Sequence, residues 1–189
     1  IYITFGGQTA VIFTDLLQGF ILIFAGILVF ILGINYVGGF DIFWNALSPE
    51  FKLPLANFNQ PSNFNFVGIF WQDGVAGSVG FLFMNQGLIM RFMACKSVHE
   101  GRKAAAFNVL ILLPICTIVV SNAGWVGKAI SIVTPEAWNA ATQLDHVFTQ
   151  VAYLITGSEI VFAFVIAAVA AALMSTVDTL INAVAAVVI

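Results

Sequence analysis

The chain has 189 residues, of which 61% are hydrophobic and 8% charged, with a formal net charge of −3 and a mean hydropathy of +1.03. Soluble domains carry roughly a quarter of their residues as charges, so this composition excludes an ordinary soluble fold and indicates an all-α integral membrane protein embedded in a lipid bilayer. The small, dispersed negative charge excludes nucleic acid as a partner.

Counted in stretches of about 20 apolar residues, the chain holds four spans, at about 10–35, 66–92, 104–127 and 158–189. It begins at Ile1 without a methionine and stops at Ile189 inside an apolar run. We therefore expect residues 1–189 to be part of a longer, transporter-sized chain whose remainder is a necessary partner.

The first span runs uncharged from Leu16 to Ile34, with Asp15 just before it and Gly38-Gly39 closing it. The loop "SPEFKLPLANFNQPSNFNF" follows, with no helical period. The second span, Val67 to Met90, contains Asp73, Asn85-Gln86 and glycines at 68, 74, 77, 80 and 87, and is expected to break. Ala104 to Gly127 has no charge, and Pro114 predicts a kink in its middle. Thr134-Pro135-Glu136 carries a helix-start signature. Ala137, Trp138, Ala141, Leu144, Val147, Phe148 and Val151 then recur at helical spacing and predict a short external amphipathic helix. The fourth span begins after Glu159 and runs to Ile189.

Arg91, Lys96, Arg102 and Lys103, four of the six basic residues, lie in "RFMACKSVHEGRK", which marks that loop as cytoplasmic. Asp15 and Asp178 then both fall on the order of 10 Å from the inner face. Cys95 and Cys116 have no metal or disulfide spacing and read as packing residues.

The most informative stretch is "AAVAAALMSTVDTLINA", residues 167–183. A carboxylate at that depth costs several kcal/mol unless it is paired, solvated or bound to an ion. On a helix Ala172, Ser175, Thr176 and Thr179 fall within about 100° of arc, with Asp178 at its edge. Hydroxyl and carboxylate oxygens facing one place suit a hard cation. A plainer reading makes Ala163, Ala167, Ala171 and Ser175 a stripe of small residues for close helix packing. For Asp15 the plainer reading is a pair with Arg91 or Lys96.

Three segments, "FGGQTAVIFTDLLQ" (5–18), "NQGLIMRFMACKSVHEGRKA" (85–104) and "AAALMSTVDTLINA" (170–183), together resemble the sodium/solute symporter family, which contains the sodium/glucose cotransporters. The resemblance implies a LeuT-like fold, with two inverted five-helix repeats working by alternating access. This chain would supply the last helix of the first repeat and the first three of the second. It further implies that Ala172, Ser175 and Thr176 fall on the family's main sodium site. Asp15, Ser175, Asp178 and Thr179 would fall where some members hold a second sodium, with Asp178 replacing a frequent serine. Ser78, Phe81 and Leu82 occupy positions where sugar-transporting relatives carry Asn and a Tyr-Trp gate. Asn85, Gln86 and Arg91 match family positions with structural roles.

The function implied is sodium-coupled symport of a small polar solute, a sugar or sugar-like compound, by a multi-pass protein of the bacterial inner (plasma) membrane. Sodium is the coupling ion and no other cofactor is expected. The alternatives are a proton-coupled or non-sugar symporter (amino acid or sialic acid-like) of the same fold, and a membrane scaffold or sensor whose polar cluster only joins helices. An enzyme is not expected, since no His, Cys or carboxylate cluster has catalytic spacing.

Overall fold

The computed structural model describes residues 2–52, 70–138 and 146–188, except for the side chains at 2–5, 50, 51, 73 and 81–83. The described elements are all helical. They are α1 (Tyr2–Val37), α2 (Phe40–Ala46), α3 (Pro49–Lys52), α4 (Ser78–Met84), α5 (Gln86–Met93), α6 (Val98–Phe107), α7 (Leu113–Val133), α8 (Val147–Thr156) and α9 (Glu159–Val188). Wide π-helical stretches lead into α4 (Phe70–Gly77) and join α6 to α7 (Asn108–Leu112).

Three of the described helical segments are long and apolar enough to cross a membrane: Gly6–Val37, Val98–Val133 and Glu159–Val188. The stretch expected as a second span is divided. Its backbone is interrupted at Asn85, which is extended (φ −82°, ψ 103°) and whose side chain accepts the Leu88 N–H to start α5. A side chain that satisfies a free helix-start donor makes such a break cheap.

Pro114 acts differently from a mid-helix kink. Its ring has no N–H to donate and crowds the carbonyl four residues back, at Leu110. Leu110 lies inside the π-helical stretch, so a widened turn absorbs the proline while the helix continues to Val133.

Thr134 corrects a second expectation, because it ends a helix instead of starting one. Its N–H and hydroxyl both reach the Ile130 carbonyl, at 2.8 and 3.2 Å. Pro135, which cannot continue a helix, follows. Of the expected amphipathic helix, residues 139–145 lie outside the described residues, and α8 begins at Val147. Gly157, at φ 54°, closes α8 in the left-handed conformation that favours glycine, and Glu159 opens α9.

The directions of the long helices follow from their contacts. Gly26 of α1 meets Val119 of α7, and Gly33 meets Val126, a step of seven residues on both helices, so the two run parallel. Phe24 meets Phe164, Asp15 meets Ser175 and Gln8 meets Asn182, so α9 runs antiparallel to α1. Asn122, buried on α7, donates to the Gly26 carbonyl at 2.8 Å. The glycines let the backbones close in, as small residues do between membrane helices.

The apolar core gathers at one end, where Val29, Phe43, Val126, Ile130, Val151 and Val165 are buried together. Polar contacts gather at the other.

Candidate functional site

The site is built where α1, α5 and α9 meet. Asp15 follows Thr14, whose hydroxyl turns back to the carbonyls of Ala10 and Val11 in its own helix, at 2.9 and 3.0 Å. The carboxylate alone of this Thr-Asp pair therefore reaches across to α9. Ser175 donates to Asp15 Oδ1 at 2.5 Å.

The other oxygen, Oδ2, accepts from Arg91 Nη2 in a charge-assisted contact. The same nitrogen donates to Thr179 Oγ1 at 2.8 Å. Arg91 sits in the last turn of α5, so the break at Asn85 restarts the chain on a course that carries the guanidinium to this junction. Gly87 permits the approach: a Cβ there would stand 2.7 Å from Thr179 Cγ2.

Asp178 lies one residue before Thr179 and is only 5% exposed. Its Oδ2 has no hydrogen-bond partner. A buried carboxylate oxygen without a partner is costly in any surroundings, and more so in a membrane. Arg91 and Asp15 pair with each other, and Asp178 has no ion-pair partner among the described residues. Ser175 and Thr179, on the same helix, bear hydroxyls, the oxygen donors a hard monovalent cation takes.

The expected sodium ligands thus divide into three groups. Asp15 holds Ser175 directly and Thr179 through Arg91; Asp178, next in sequence to Thr179, is buried; Ala172 and Thr176 are joined to each other, the Thr176 hydroxyl donating to the Ala172 carbonyl at 3.3 Å. Among the described residues no group of three or more His, Cys, Asp or Glu side chains could hold a metal ion. Any cation here must rely on hydroxyl and carbonyl oxygens as well.

Of the expected substrate positions, Ser78 is exposed at the start of α4. The side chains of Phe81 and Leu82, on the same helix, lie outside the described residues, as does that of Asp73.

Two polar contacts were not anticipated from the residues. Asn182 donates to Gln8, extending the polar stripe of α9 beyond Thr179, and Asn122 bridges α7 to α1. The first had a signal, since Ser175, Asp178, Thr179 and Asn182 recur at helical spacing on one face. The second had none, because an isolated Asn in an apolar run does not name its partner.

The sequence profile of the sodium:solute symporter family matches residues 1–189. The chain is similar to the sodium/glucose cotransporter of Vibrio parahaemolyticus, 28% identical over 131 residues, covering 64% of this chain and 24% of that protein. It is also similar to the sodium-coupled monocarboxylate transporter 2 of Mus musculus and of Homo sapiens, in each case 30% identical over 113 residues, covering 58% of this chain and 18% of the relative. The matched regions therefore span a quarter or less of these relatives. No solved structure matches the chain.

Proposed function

Because the chain belongs to the sodium:solute symporter family, we propose that it carries part of the cation-coupling machinery of a symporter that uses a sodium gradient to take up a small polar solute. The observation that carries this reading is Asp178, a buried carboxylate with an unpartnered oxygen on the helix whose Ser175 and Thr179 hydroxyls meet Asp15 and Arg91. Packing alone does not require a charge there. A sodium ion would satisfy that oxygen and take the nearby hydroxyls as further ligands.

In the arrangement described, the guanidinium of Arg91 already satisfies Asp15 and Thr179. Arg91 acts as a resident cation that closes this side of the junction. When sodium takes Thr179 and Ser175, Arg91 gives up its hold and Asp15 becomes available as a ligand. Ala172, Ser175 and Thr176 on α9 would form the other proposed sodium position together with a helix outside this chain.

We place the chain in a LeuT-like alternating-access fold, in a bacterial inner membrane. The parallel pair α1–α7 and the antiparallel α9 agree with the cytoplasmic assignment of the 91–103 loop, since the start of α6, the start of α1 and the end of α9 then share a membrane face. The two kinds of relative are named for glucose and for monocarboxylates. We assign the solute to the sugar-like class, with Ser78, Phe81 and Leu82 at its site.

The test is uptake of labelled sugars, sugar acids, monocarboxylates and amino acids by the intact protein in proteoliposomes, under an inward sodium gradient and an equal potassium one. Sodium-dependent uptake of one solute, lost in Asp178→Ala, supports the reading. Uptake that follows a proton gradient and ignores sodium would make Asp15 and Asp178 a proton relay instead. Normal assembly with no uptake of any kind would favour a scaffold.

A further inference from the structure

The corner between α5 and α6 lies apart from the cation site and holds a cavity of about 550 Å³, within the roughly 300–1,000 Å³ usual for small-molecule sites. Its lining is mostly apolar, from Phe92 and Met93 on α5 and from Val98, Gly101 and Ala105 on α6. Met93 and Val98 are about three-quarters exposed, so both are open to an apolar ligand.

The charges of this corner are sorted by helix face. Val98, Gly101, Arg102 and Ala105 follow helical spacing and line the cavity together. Glu100 and Lys103 pair with each other at 3.1 Å and do not line it. Arg102 on the wall, and Lys96 between the lining residues Cys95 and Ser97, have no carboxylate partner among the described residues. The cavity thus joins an apolar floor to uncompensated positive charge.

Its depth fits that mixture. The helical segment Val98–Val133 has 36 residues, about 54 Å at 1.5 Å per residue, against a hydrocarbon core of about 30 Å. Its uncharged part begins at Ala104. Arg102 therefore stands at the boundary between acyl chains and headgroups.

We propose that this corner binds one anionic phospholipid, with Arg102 and Lys96 on its phosphate and an acyl chain against Phe92, Met93 and Val98. Basic pockets beside membrane helices select anionic headgroups over zwitterionic ones by charge.

The test is native mass spectrometry of the intact protein released from nanodiscs of phosphatidylcholine and phosphatidylglycerol with identical acyl chains. A retained phosphatidylglycerol adduct is expected. It should weaken by roughly thirtyfold in Lys96→Gln/Arg102→Gln, where two charges are lost. It should also weaken in Gly101→Leu, which fills the cavity with the charges kept; the nearest atom to a Cβ there is Phe92 Cδ1 at 3.8 Å, so the backbone is not strained. Lys128→Gln, on an exposed residue of α7 far along the segment, should leave it unchanged. Equal retention of both lipids, or equal loss in Lys128→Gln, overturns the proposal. So does displacement of the adduct by free glycerol phosphate at millimolar concentration, since a headgroup alone would then account for binding. Sodium-driven uptake need not change in any outcome, so the result is independent of the transport reading.

Discussion

Arg91 and Asp15, 76 residues apart in the chain, form an ion pair that ties α5 to α1 and, through Thr179, to α9. The pair is partly buried, with side-chain exposures of 34% for Arg91 and 15% for Asp15. Removing one member leaves the other charge in poor solvent, which costs more than the bond itself contributes.

Arg91→Ala should therefore destabilise the protein by about 2 kcal/mol, given that the pair is not fully enclosed. Arg91→Ala combined with Asp15→Asn should recover most of that loss. Thermal unfolding of the four members of the double-mutant cycle checks this, and strictly additive losses would show that the two residues do not act as a pair.

Asp178→Asn and Asp178→Ala should both raise the sodium concentration needed for half-maximal uptake by at least about tenfold, a loss of roughly 1.4 kcal/mol in ion binding. The amide can hydrogen-bond but brings no charge to a cation. If Asp178→Asn keeps the sodium response intact, the carboxylate only glues helices together.

Gly87→Ala should act on Arg91 indirectly. The added Cβ would lie 2.7 Å from Thr179 Cγ2, forcing α5 away from α9 and stretching the Arg91–Thr179 bond. We expect a stability loss of about 1–3 kcal/mol, largely reversed by adding Thr179→Ser, which deletes the offending methyl and keeps the hydroxyl. Failure of that reversal in an unfolding assay would place the defect elsewhere.

Gly26→Ala should be costly on α1, where it packs against α7. Its Cβ would approach Val119 Cγ1 to 2.1 Å and the Val119 carbonyl to 3.0 Å, and spreading α1 from α7 would also strain the Asn122 bond to the Gly26 carbonyl. A loss of about 2–3 kcal/mol is expected. Adding Val119→Ala should relieve part of it, leaving the clash with main chain, as measured by unfolding in detergent.

Much of this was legible in the residues. Long apolar runs, a cationic partner for Asp15, and glycines before Asn85 that weaken a helix all follow from local chemistry, and they appear as three long helices, the Arg91–Asp15 pair and a break. Arg91 was legible only as one of two nearby cations, because the choice between Arg91 and Lys96 depends on where α5 points after its restart. Thr134 misled for a related reason. Thr-Pro-Glu can open a helix or close the one before it, and the apolar run ending at Val133 decides for closure. The grouping of Asn122 with Gly26 depended on helix direction, which no local pattern encodes.

The widened turn at Asn108–Leu112 sets the phase of everything before it. One residue more than an ordinary helical turn would hold is taken up there, so the side chains of α6 are rotated by about a hundred degrees from where the repeat of α7, read backward, would put them. Two stripes on one continuous rod can thus address different neighbours: α7 turns Val119, Asn122 and Val126 to α1, while α6 turns Arg102 toward the corner with α5. Shortening the rod by a single residue at this turn would restore an even helical count and swing Arg102 off that corner, with the contacts of α7 left in place.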